Sequence, residues 1–366
     1  MKRNPYALEQ LLKFWLNYLR DVEEKDLKEE ILFEKASNEV KSIVQNGVQK
    51  KEGHIVDKFY SVLTGAARKT IRDSEPASYK KIVTLIGESL RNVGSFDNLP
   101  EEFPKYDQVI RKLGALGREG YSIPKGKAKS LKEGTHEVVK QIQIIANFLA
   151  KSQHDDLLEL TLGVESSIWE KMYRAGDHNS LKSALREREE LLLFKNKINP
   201  KWNGVYAVKH IIQIGIRVTK ESWEKKWLSI VNQCLEVLEH IALKTYQGNA
   251  KMSWKALHGL GVIGKNGIKA KKGNILRSSL KNLVFLSKRA NNREIKSKIA
   301  THIFYLGGLS IHYETNFDDI IAQSLNKIRK HIKKSKILEQ SAEHAKTWES
   351  VESEEIEKFK KIAKEN

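Results

Sequence analysis

Residues 258–267 of this 366-residue chain, HGLGVIGKNG, come closest to a recognisable chemical motif. Gly259, Gly261 and Gly264 spell G-x-G-x-x-G, and with Lys265 they approach the phosphate-loop pattern G-x-x-x-x-G-K. The first pattern lets backbone close on a dinucleotide pyrophosphate; the second cradles a triphosphate with N–H groups and a lysine. Both require a strand before the glycines and a helix only after them. Here KMSWKALHGLGVIG has the apolar spacing of a helix running through the glycines, and Asn266 stands where a magnesium-binding Ser or Thr belongs. No Asp or Glu occurs from 266 to 293 to meet a ribose or a metal. The motif is therefore expected to be a packing feature, and no cofactor is assigned.

Other reactive residues are sparse. The single cysteine, Cys234, lies on the apolar side of WLSIVNQCLEVLEHI, which excludes an internal disulfide and a cysteine-rich zinc site and predicts a core thiol. Eleven histidines are scattered without H-E-x-x-H or comparable ligand spacing. QHDD (His154, Asp155, Asp156) fits a helix start with acidic residues in its first turn, where the helix dipole favours them. No G-x-S-x-G nucleophile elbow occurs. No catalytic residue and no metal ligand is assigned, and the chain is expected to be non-enzymatic.

Charge is the informative feature. The net charge is +19, and residues 201–336 hold 26 Lys/Arg against 8 Asp/Glu. From 240 to 293 there are 12 Lys/Arg and no acid. A solvated helical face usually mixes signs, so such a run calls for an anionic partner. In the segment 274–292, Arg277, Lys281 and Lys288 fall within about 40° at 100° per residue, while Leu276, Leu280, Leu283 and Val284 are taken as the opposite, packing side. Arg289 adjoins that ridge; Lys265, Lys269, Lys271 and Lys272 come from KNGIKAKKGN, and Lys327, Lys330, Lys333 and Lys334 from NKIRKHIKKSK. These twelve are the expected anion-binding residues, suited to a nucleic-acid backbone or an acidic protein. Trp202, Trp223, Trp227 and Trp254 share the basic part and are expected to pack between helices. The stretch 117–134, with four lysines, is expected to be a flexible connection.

The elements that must position these residues follow from a spacing. Gly117 and Gly163 are 46 residues apart, as are Gly215, Gly261 and Gly307; Gly65–Gly117 and Gly163–Gly215 are 52 apart. Apolar residues flank each glycine at helical spacing, as in IGI, LGV and LGG at 214–216, 260–262 and 306–308. A polar break and a second amphipathic segment follow. The predicted helix pairs are 54–72 with 76–93, 105–119 with 133–151, 155–175 with 180–196, 204–220 with 222–246, 252–270 with 274–291 and 293–313 with 317–334. At the column positions glycine is expected to let helices of neighbouring pairs approach closely, offsetting a helix penalty of about 1 kcal/mol.

In repeat length and hairpin pattern the chain resembles the HEAT/armadillo-like α-α superhelices, whose units run to roughly 40–47 residues. The resemblance covers about residues 50–335 and does not extend to the consensus proline, aspartate and arginine of a HEAT helix pair. It implies an all-α fold, a right-handed α-α superhelical solenoid of about six to seven hairpins. The expected organisation is an N-terminal helical cap over 1–50 with an aromatic helix (Phe14, Trp15, Tyr18), a solenoid over 51–336 and an acidic helical tail over 337–366. Residues 339–366 of that tail are expected to fold back over the basic residues and compete with the partner. The functional expectation is a cytoplasmic scaffold without a transmembrane segment that engages an extended anion. The alternatives are a protein-interaction scaffold in a multi-subunit or membrane-associated assembly and, by the resemblance alone, a DNA-modifying enzyme.

Overall fold

The structure, a computed structural model, describes residues 53–73, 76–92, 106–122, 125–151, 154–221, 225–332 and 335–365, with three isolated positions before them. The expected cap over 1–50 lies outside the described residues. Every regular element among those described is an α-helix, 14 in all.

The chain divides into two compact units, Met1–Ser180 and Leu181–Asn366. The first holds α1 (Gly53–Asp73), α2 (Pro76–Asn92), α3 (Tyr106–Tyr121), α4 (Lys125–Lys151) and α5 (Asp155–Arg174). The second takes α6 (His178–Ile198) from Leu181 onward, then α7 (Val205–Glu221), α8 (Lys225–Thr245), α9 (Ala250–Lys269), α10 (Gly273–Arg289), α11 (Arg293–His312), α12 (Asp318–Arg329), α13 (Ser335–Lys346) and α14 (Ser353–Glu365). These bounds follow the predicted pairs closely, with one difference. The stretch 117–134 is mostly helical: α3 runs to Tyr121 and α4 begins at Lys125, because the four lysines are good helix formers and follow directly on Pro124.

Each unit is a two-layer stack. In the first, α1, α3 and α5 pack in succession and α2 packs on α4. In the second, α7, α9, α11 and α13 form one layer and α8, α10, α12 and α14 the other, each hairpin closing on itself and on the next. This is the solenoid-like, all-α repeat arrangement that the glycine spacing implied. The starts and stops are local. Asn249 caps α9 by accepting from the Met252 N–H at 3.1 Å, and its amide donates to the Trp202 carbonyl at 2.6 Å, tying the cap to the previous hairpin. Asn292 caps α11 in the same way through Glu294. Gly176, Lys271 and Glu314 terminate α5, α9 and α11 in the left-handed region, and the next N–H closes a six-residue turn, as from Lys272 to the Gly267 carbonyl at 2.8 Å.

The glycine columns are close-approach points. A Cβ on Gly117 would lie 2.5 Å from Ile168, and one on Gly215 2.7 Å from Ile263. On Gly261 it would meet the His302 ring, and on Gly307 the Phe359 ring, all within 3.0 Å. Gly65 differs, with nothing within 4 Å. Gly259 and Gly264 abut Ile212 and Ser279 in the middle of α9, so the G-x-G-x-x-G motif is buried helix and makes no phosphate loop. Cys234 is fully buried beside Gly215, and burial pushes its thiol up.

The acidic tail continues the stack. Phe359 and Ile356 of α14 pack on Gly307 and Gly308 of α11, and Arg329 of α12 donates to the Ala363 carbonyl at 2.8 Å. Some of the tail's acids pair within it, Lys346 meeting Glu343 at 2.8 Å and Glu357 at 2.7 Å and Lys360 meeting Glu357 at 3.0 Å, while Glu355 contacts His312 of α11 at 2.8 Å. The tail is a further hairpin on the terminal repeat, and it does not lie over the basic helix α10.

Candidate anion-binding groove

Helices α10 and α12 lie side by side in the same layer of the second unit. α10 buries Ile275, Leu276, Leu280, Leu283 and Leu286 and leaves Arg277, Lys281, Phe285, Lys288 and Arg289 exposed. α12 buries Ile321, Ala322, Leu325 and Ile328. Between them runs a groove of about 640 Å³, lined by Arg277, Leu280, Lys281, Val284, Phe285 and Lys288 from α10 and by Ile320, Gln323, Ser324 and Lys327 from α12. Four full positive charges and no carboxylate line it. Lys281 and Lys327 are 46 residues apart, the spacing of the glycine columns, so the stacking brings repeat-equivalent cations to one place.

Leu280 and Val284, expected on the side opposite the cations, instead form the groove wall among them. At 100° per residue they stand only about 60° and 20° from Arg277. The groove is therefore cationic with an apolar wall. Phe285, at 39% exposure the most solvent-accessible of its apolar residues, carries the Arg289 guanidinium over its ring at 4.2 Å. The carboxylates nearest in sequence, Asp318 and Asp319, precede Ile320 in the first turn of α12. On α8, Glu239 is buried, and that burial holds its carboxyl above the usual range, while the charges of His240, Arg289 and Lys281 pull the other way.

The remaining expected residues separate. Lys265 is half-buried and donates to the Tyr305 hydroxyl at 2.7 Å, which in turn donates to the Glu349 carbonyl at 2.9 Å. Lys272 is buried, its ammonium donating to the Thr219 carbonyl, and desolvation lowers its pKa. These two serve the interior and are not groove residues. Lys269 is exposed above the Tyr313 ring at 5.4 Å, Lys271 occupies the left-handed turn after α9, and Lys330 is exposed at the end of α12. Lys333 and Lys334 lie outside the described residues. Trp202 is buried, while Trp254 stacks edge-on with Tyr246 at 5.4 Å beneath the Lys298 ammonium at 3.9 Å; Trp223 lies outside the described residues.

Two polar clusters had no linear signal. In the first unit, buried Asp177 accepts from the Tyr121 hydroxyl at 2.8 Å and contacts His136 Nε2 at 2.5 Å, while Ser180 Oγ lies 2.7 Å from that same nitrogen. A nucleophile–base–acid relay uses the two ring nitrogens separately, so this arrangement ties α3, α4 and the α5–α6 turn together without forming a triad. In the second unit Trp348 touches His302, Tyr305 and His344 at 4.6, 5.0 and 6.2 Å, and burial drives His302 down to about 3. Asp177 with Tyr121 and His136, and Trp348 with His302 and Tyr305, are about 40 or more positions apart, and only the stacking brings them together. Among the described residues no group of three or more His, Cys, Asp or Glu side chains is placed to hold a metal ion.

No protein-family model matches the sequence, and no curated protein matches it. A solved structure described as a circular tandem repeat protein with novel repeat topology and enhanced subunit contact surfaces is similar to this chain with a TM-score of 0.49 and 14% identity, over 98% of this chain and 94% of that chain. No described helix is long and apolar enough to cross a membrane.

Proposed function

We propose that this helical-repeat protein is a non-enzymatic scaffold that binds an extended polyanion, with a nucleic-acid backbone as the partner, in the groove between α10 and α12. The observation that carries the reading is the convergence of Arg277, Lys281, Lys288 and Lys327 on one concavity with no carboxylate in its lining. Cations along α10 span about 16 Å of helix axis, at 1.5 Å per residue, which suits a chain of phosphates better than one small anion. Arg289, over the Phe285 ring, and Lys330, one turn beyond Lys327, add positive charge around it. The lining holds no carboxylate, histidine or cysteine, which favours binding over turnover and against a DNA-modifying reaction at this place. The repeat length supports kinship with HEAT/armadillo scaffolds, and the cytoplasm is the setting this reading assumes.

The test is fluorescence anisotropy with a labelled oligonucleotide between 50 and 200 mM salt. Four phosphate contacts on a single strand give a log–log slope near −3, from about 0.7 per contact, and so roughly a 50-fold loss over that range. The triple reversal of Arg277, Lys281 and Lys288 to Glu is expected to abolish binding. Salt-independent affinity, or undiminished binding by the triple variant, would refute the reading. A second reading, an acidic protein partner in a multi-subunit or membrane-associated assembly, draws on the apolar wall of Leu280, Val284, Phe285 and Ile320. A stoichiometric partner that stays bound after nuclease treatment would favour it.

A further inference from the structure

The groove couples its charge to an aromatic surface, and this narrows the partner. We infer that the groove takes single-stranded nucleic acid, with Phe285 as the stacking platform for an unpaired base. The inference rests on the polyanion reading above and deepens it.

Three observations support it. Phe285 is a large side chain left 39% exposed on a helix that buries its other apolar residues except the half-buried Val284, and it lines the groove. One face of the ring carries the Arg289 guanidinium at 4.2 Å, which fixes the ring and adds a second planar cationic surface beside it. Along α10 the ring sits one turn after Lys281 and just under one turn before Lys288, so cations flank it along the helix axis. This alternation of phosphate-binding charge with a π-face is what sequence-tolerant recognition of a single strand requires. A duplex hides its base faces in the stack and offers only backbone and groove edges.

The experiment compares four ligands of equal length by anisotropy at one salt concentration: single-stranded oligo-dT, the corresponding duplex, an abasic strand with the same phosphates, and poly-glutamate. The proteins are wild type, Phe285→Ala, Phe285→Trp and the double reversal Lys281→Glu/Lys288→Glu. Wild type is expected to bind oligo-dT at least tenfold tighter than the duplex or the abasic strand. Phe285→Ala should weaken oligo-dT binding about 5- to 150-fold, the range for one lost base stack, and leave abasic binding unchanged, whereas Phe285→Trp should preserve it. Phe285 is surface-exposed, and the wild-type comparison of oligo-dT with the abasic strand needs no variant, so the test survives a folding defect. Equal binding of duplex or abasic strand, or no effect of Phe285→Ala while the double reversal abolishes binding, would overturn the stacking inference and leave the polyanion reading standing. Binding indifferent to the double reversal would overturn both. Tighter binding of poly-glutamate than of any oligonucleotide would replace nucleic acid with an acidic peptide.

Discussion

The glycine columns give the sharpest quantitative expectation. Gly307 and Gly65 both sit within helices and occupy equivalent places in the sequence spacing, but their surroundings are opposite. A methyl group on Gly307 would come within 3.0 Å of three atoms of the Phe359 ring. That ring is fully buried and packed edge-on against Phe304 at 6.1 Å, so it has little room to turn away. Overpacking costs about 1–3 kcal/mol, and against a fully buried ring that cannot turn away the upper part of that range applies, about 2–3 kcal/mol. Alanine recovers about 1 kcal/mol of helix propensity, leaving a net loss of about 1–2 kcal/mol. Gly65 has nothing within 4 Å, so Gly65→Ala keeps only the propensity gain and stabilises by up to about 1 kcal/mol. Because two units need not unfold together, the assay is native-state hydrogen exchange followed peptide by peptide. Gly307→Ala should speed exchange across 353–365 about 5- to 30-fold, and Gly65→Ala should slow it across 53–73. Unchanged or slower exchange in Gly307→Ala, or faster exchange in Gly65→Ala, would refute the idea that the column glycines mark hairpin contacts.

Four further outcomes follow from single sites. His302 is buried, with a pKa lowered by desolvation to about 3 against an ordinary value of 6.5. The unfolded chain therefore binds the extra proton first, and the second unit should lose stability as pH falls below about 6.5, with about 2 kcal/mol at pH 5 from His302 alone. Burial also lowers His210, to about 4, and His258, which add in the same direction. Urea titrations at pH 7 and pH 5 check this, and His302→Asn should reduce the difference by about the His302 share. Phe359→Ala should destabilise the C-terminal hairpin by about 3–5 kcal/mol, seen as loss of protection in α14 without change in α1–α5. Lys272→Ala should cost about 1–3 kcal/mol by stripping the donor from the buried Thr219 carbonyl, yet leave oligonucleotide affinity unaltered. Lys327→Glu should do the reverse, with stability kept and affinity reduced in a urea titration and an anisotropy titration run side by side.

The amino-acid sequence by itself determined the helices, their pairing and the place of the charge. Apolar residues at 3.6-residue spacing and a glycine recurring every 46 or 52 positions are local, periodic signals, and each reports a property of its own helix. Thus the apolar spacing of α9 alone makes it a helix through Gly259, Gly261 and Gly264, which excludes a phosphate loop there. Which lysines face a partner was a different kind of question. Lys265, Lys272 and Lys281 look alike in sequence, and only the packing of the neighbouring hairpin put Tyr305 under the first, the Thr219 carbonyl against the second and open solvent before the third. The groove itself, the exposure of Phe285, the Asp177–His136 node and the docking of α14 all join residues some 35 to 50 positions apart. Such contacts depend on how one repeat stacks on the next, a distance and an angle set by side chains on both layers at once. No single window of sequence contains that information.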